Sequence, residues 1–89
     1  VEMEIAGFGI VNLYPNPSDG YFSVNMSGVT EKERRFTIYC LTGQAIYSEQ
    51  RPGEEVTIDF NFPEMPAGTY VLAVSSGNRI IDSRKFIKR

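Results

Sequence analysis

Turn-forming residues punctuate this 89-residue chain about every ten positions, and the runs between them alternate apolar with polar side chains. Pro15-Asn16-Pro17 followed by Ser18-Asp19-Gly20, Thr42-Gly43, Arg51-Pro52-Gly53, the stretch 62–68 with Pro63 and Pro66, and Ser76-Gly77-Asn78 each stop or reverse a run. Proline cannot donate to a ladder and restricts the residue before it, while Asn, Asp, Ser and Gly suit tight turns. Such spacing leaves no room for a long helix, and no window places apolar residues at i, i+3, i+4 and i+7 for three turns. Short strands are what remains.

The alternation predicts seven of them: residues 8–14, 21–26, 35–41, 44–48, 56–60, 69–75 and 79 to about 88. Phe22, Val24 and Met26 form one apolar face; Phe36, Ile38 and Cys40 form a second, with Thr37 and Tyr39 opposite; Val56, Ile58 and Phe60 form a third. Residues 28–34 read as a polar loop, and 35–48 as a hairpin turning at Gly43. In the sixth run Tyr70, Leu72 and Val74 share one face, yet Val71 and Ala73 on the other are also apolar, which marks a central strand. The fold class predicted is all-β, an immunoglobulin-like antiparallel β-sandwich of about seven strands. Tyr70, entering a late strand after the Pro66-to-Gly68 crossover, is placed as the hydroxyl donor of a tyrosine corner.

Composition narrows the function. Eleven Phe and Tyr side chains and 42 % apolar residues suit a folded domain, but a chain this short leaves little room for a walled pocket. Histidine is absent, which removes the commonest general base and metal ligand. Cys40 is the lone cysteine, expected to be a small buried apolar residue without a disulfide or zinc partner. Asp19, Asp59 and Asp82 are scattered, and neither a nucleophile elbow nor a phosphate loop occurs. No enzyme, no cofactor and no metal site are expected. No apolar stretch approaches the roughly 20 residues of a membrane-spanning helix. The chain opens on Val1; it is expected to be part of a longer protein, with 1–9 a linker from an upstream cargo domain and 10–89 the folded module.

Charge is uneven. Arg79, Arg84, Lys85, Lys88 and Arg89 against Asp82 leave residues 79–89 at +4, so residues 1–78 carry −6 of the net −2. Cations confined to one short segment of an acidic chain do not suit nucleic acid. They suit a tail that another protein reads, or an edge strand whose charges oppose aggregation.

Four segments, in order, resemble the C-terminal sorting domains of proteins exported by the type IX secretion system. Leu13-Tyr14-Pro15-Asn16-Pro17 with Gly20 is similar to the family's opening Tyr-Pro-Asn-Pro…Gly element. Ile38 to Gln44, with Gly43, resembles its central Leu-x-Gly-Gln hairpin; Pro66-Ala67-Gly68-Thr69-Tyr70-Val71 resembles its Pro-x-Gly-x-Tyr-Val element. Lys85-Phe86-Ile87-Lys88 resembles the closing Lys-rich element, and Arg89 follows where many members stop or vary.

The resemblance implies a module that directs a folded cargo from the periplasm through an outer-membrane translocon with its shuttle proteins. A sortase-like peptidase then usually cleaves before the first strand, leaving the cargo at the cell surface or outside. On that reading Arg84, Lys85, Phe86, Ile87, Lys88 and Arg89 are the receptor-recognition residues, with strand backbone pairing to the receptor by β-augmentation. Tyr14, Pro15, Asn16, Pro17, Gly20, Gly43, Pro66, Gly68 and Tyr70 are architectural. A terminal strand of this kind also suits a dimer by strand exchange. The competing reading is a fibronectin-like or carbohydrate-binding sandwich, with Tyr21, Tyr39 or Tyr47 as a sugar platform.

Overall fold

The structure is a computed structural model, and it describes residues 9–27 and 32–89, the Val11 side chain excepted. Seven strands run in chain order: β1 Ile10–Tyr14, β2 Tyr21–Met26, β3 Arg34–Cys40, β4 Ala45–Arg51, β5 Thr57–Asn61, β6 Gly68–Ser76 and β7 Arg79–Lys88. They form two antiparallel sheets, ordered β1-β2-β5 and β4-β3-β6-β7. Strands two, three, five and six fill the places that an immunoglobulin-like Greek key assigns them, and β4 stays beside β3. Phe8 and the expected linker lie outside the described residues, except for Gly9.

Alternation decides which face of each strand is buried. Phe22, Val24 and Met26 on β2, Ile58 and Phe60 on β5, Phe36 and Ile38 on β3, and Tyr70, Leu72 and Val74 on β6 meet in one core with Ile10, Leu13 and Phe86. The aromatic rings form a connected cluster: Phe22 lies 5.4 Å from Phe60 and 4.7 Å from Phe86, and Phe36 lies 5.8 Å from Phe60. Each such fully buried ring stabilises the fold by about 1.5–3 kcal/mol relative to leaving it in water. β6 is an interior strand between β3 and β7, which accounts for its two apolar faces.

Arg34, Cys40 and Val56 each depart from the sequence expectation. Arg34 belongs to β3, not to the preceding loop, and it is fully buried; its guanidinium donates to the carbonyls of Gly53 (2.8 Å) and Glu55 (2.5 Å) in the turn before β5. Cys40, the last residue of β3, is only partly buried, and its sulfur lies 2.9 Å from Thr42 Oγ1. Val56 falls just before β5 and is exposed.

Candidate recognition site

The opening and closing segments of the described chain meet at one corner of the sandwich. β7 is the last strand of its sheet, so the side away from β6 has no strand neighbour in that sheet. The turn after β1 covers it. Asn16 Oδ1 accepts from the Ile87 backbone N–H at 2.9 Å. Ser18 N–H donates to the Ile87 carbonyl at 3.0 Å, and Arg89 N–H donates to the Ser18 carbonyl at 2.8 Å, forming a one-residue parallel bridge. Arg89 Nε also donates to Asp19 Oδ1 at 3.3 Å. Both X–Pro bonds of this turn, Tyr14–Pro15 and Asn16–Pro17, are cis.

Gly20 closes the turn at φ +112°, and a side chain there would run into the Phe62 backbone and crowd Lys88 Cε. Glycine is required on both counts. Its carbonyl accepts from Phe62 N–H at 2.8 Å, and its own N–H donates to the buried Ser18 hydroxyl at 3.3 Å. The turn is therefore tied to both β7 and the β5–β6 crossover.

Tyr70 donates its hydroxyl to the Pro66 carbonyl at 2.5 Å, as a tyrosine corner requires. Its ring stacks on Phe86, its cross-strand partner, with centroids 5.7 Å apart. Gly68 pairs with Lys88, and a Cβ there would meet the Tyr70 ring only at ordinary contact distance, so the crowding seen at Gly20 is absent. Gly43 turns the β3–β4 hairpin at φ +92° in open space, at the same end of the sheet but two strands removed from β7.

The six tail residues do not share one environment. Phe86 is 1 % exposed, so its ring is not offered to a receptor. Lys88 is 9 % exposed, its stem folded against the turn and its ammonium donating to the Arg89 carbonyl at 3.1 Å. Arg84 is half-buried and reaches across to the other sheet, donating to the Ile10 carbonyl at 2.7 Å, while Asp82 accepts from Ile10 N–H at 2.8 Å. Lys85, Ile87 and Arg89 are exposed. Backbone pairing by the tail is already satisfied inside the chain at Ile87 and Arg89. Ser18, Asp19 and Asp82 enter the site without a sequence signal, since nothing local shows which distant backbone group a short polar side chain meets.

The tyrosines proposed for a sugar platform do not share a surface. Tyr21 faces outward from the three-stranded sheet, Tyr39 outward from the four-stranded one, and the Tyr47 ring packs edge-on against Phe62 at 4.7 Å. Among the described residues no group of three or more acidic or cysteine side chains is placed to hold a metal, and no helix is long and apolar enough to cross a membrane.

Fold and corner together define a β-sandwich whose distinctive surface is a terminal strand clasped by its own first turn. The chain belongs to the family described as secretion system C-terminal sorting domain, which matches residues 12–89. It is thus a C-terminal sorting signal of type IX secretion, which works with the secretion machinery and sends its protein toward the cell surface or the extracellular space. No curated protein and no solved structure matches it.

Proposed function

We propose that this module carries a folded cargo from the periplasm through the outer-membrane translocon, and that the exposed part of residues 84–89 is what the export receptor and its shuttle partners contact. A signal that acts on folded cargo must lie on exposed structure. The observation that carries the reading is the placement of Lys85, Ile87 and Arg89 on the surface of a strand held at both faces of its backbone, by β6 on one side and the 16–18 turn on the other. The module takes no catalytic part; a sortase-like peptidase removes it upstream of β1, within or before residues 1–9, and the cargo stays at the surface or is released.

The test is a passenger enzyme fused ahead of this domain in a host that has the type IX machinery. Export of the fusion, no export of the passenger alone, and retention in a strain lacking the translocon are expected. Sequencing the amino terminus of the released domain checks the cleavage position. A fusion that folds and stays in the periplasm sinks the reading.

A further inference from the structure

Building on the sorting function, we propose that the terminal strand is read through the outward side chains of Lys85 and Ile87, not through its backbone edge, and that Asn16 is a positioning residue for them. The partner is a protein surface offering a carboxylate beside an apolar contact.

The backbone argument comes first. In an antiparallel ladder, successive residues turn their N–H and C=O to alternate sides. Ile87 turns both toward the 16–18 segment, where Asn16 and Ser18 use them. Lys85 and Ser83 share that parity, because the irregularity in the β6–β7 register falls beyond Ser83, at Val74/Ser75. Ser83 N–H meets Asp82 Oδ1 at 2.8 Å. Above it β1 approaches through the Asp82 and Arg84 contacts to Ile10. Around Lys85 a partner strand would find a short open stretch, closed at Ile87 by the 16–18 turn and with the Ser83 N–H already taken by Asp82. That is too short for stable strand addition, which draws its affinity from a run of main-chain bonds.

The side-chain face is different. Opposite the core, Lys85 pairs with Val71, which pairs in turn with Tyr39, and Ile87 pairs with Thr69. The charged residues on this outward face of the four-stranded sheet are Arg35 and Lys85. Glu49 and Asp82 sit opposite the inward residues Phe36 and Val74, so they belong to the other side. Arg35 is spent on Ser48 and Gln50. Among the described residues the Lys85 ammonium has no hydrogen-bond or ion-pair partner. The face is thus a cation amid Val71, Tyr39 and Ile87 with no carboxylate of its own, complementary to an acidic and apolar partner. Asn16 holds the strand at Ile87, itself part of this patch and two residues from Lys85.

The experiment uses the passenger–domain fusion in a host with the export machinery, measuring passenger outside the cells, thermal unfolding of the purified fusion, and amide exchange at Ile87. Lys85→Glu and Ile87→Ser should each lower export about tenfold with unfolding unchanged. Ser83→Pro removes an edge-facing N–H, the one that Asp82 Oδ1 accepts, while leaving the β6 side intact, and should export like the parent. Asn16→Ala should speed Ile87 exchange about tenfold and lower export, and Asn16→Asp, which keeps the acceptor, should restore both. Normal export by Lys85→Glu and Ile87→Ser overturns the proposal whatever Ser83→Pro does. Normal export by Asn16→Ala with fast Ile87 exchange overturns the positioning role. A parent fusion that is not exported fails the sorting reading instead, which separates the two.

Discussion

The two edges of the four-stranded sheet are protected in different ways. At the β7 edge the chain supplies its own cover: Asn16, Ser18 and Gly20 satisfy backbone groups of Ile87, Arg89 and Phe62, and the strand's inward side chain Phe86 is locked in the core. Among the described residues the β4 edge has no such cover. Its side chains alternate exposed and half-buried, and Arg51 donates to Glu49 at 2.7 Å and to Glu55 at 3.0 Å. Beside it a groove of about 440 Å³ is lined by Ile46, Tyr47, Phe62 and Met65. Charge opposes strand addition without ordering anything, whereas a clasp also fixes the strand it covers. The terminal strand is the one given the clasp, which suits a segment that must present a defined surface.

If that contrast is right, damage at β7 should cost far more than damage at β4. The largest effect is expected from Phe86→Ala, which leaves a cavity against Phe22 and Tyr70; a loss of about 3–5 kcal/mol, measured by urea unfolding, is expected. Deleting residues 85–89 would remove the same ring, so such a truncation reports on folding before recognition. Gly20→Ala follows, at about 2–3 kcal/mol, because it adds both an unfavourable φ and an overlap with the Phe62 backbone. Unchanged thermal stability in that variant would break the comparison at its strong edge.

At the other edge, Arg51→Ala should cost less than about 1 kcal/mol and lose even that in high salt, since both of its carboxylate partners are partly in water. A cost equal to that of Gly20→Ala would erase the distinction. The smallest effect is invisible at neutral pH. Burial, then the hydrogen bond and charge of Glu49, push the Tyr47 hydroxyl up to about 12, from 10.0 when free. The folded state thus keeps a proton that the unfolded chain releases, so this group's contribution is intact below pH 10 and is lost as pH rises through that window to about 12. An ultraviolet titration should show Tyr47 ionising late, and Glu49→Gln should bring it earlier.

How much of this was legible beforehand varies with the range of the interaction. The seven strands, the 35–48 hairpin, the central position of β6 and the Tyr70 corner all follow from alternation, turn residues and short-range connection, and the structure has each of them. The tail was harder. All six residues from Arg84 to Arg89 were expected to meet a receptor, yet alternation puts Phe86 and Lys88 on the inward side, and the pleat prevails over composition. Arg34 was assigned to a loop because it follows a charged run; its burial depends on carbonyls that a later turn brings to it. The Asn16–Ile87 bond joins residues 71 positions apart, and no local pattern announces it.

Residue order alone determined where this chain must turn, which face of each strand avoids water, and the family to which it belongs. Those are consequences of backbone geometry and side-chain chemistry acting within a few residues. Only the tertiary structure decided which strand lies at an edge, which edge the first turn closes, and which three of the six tail residues remain outside. Such choices are made by packing and hydrogen bonding between segments distant along the chain, where the free energy depends on the whole assembled core.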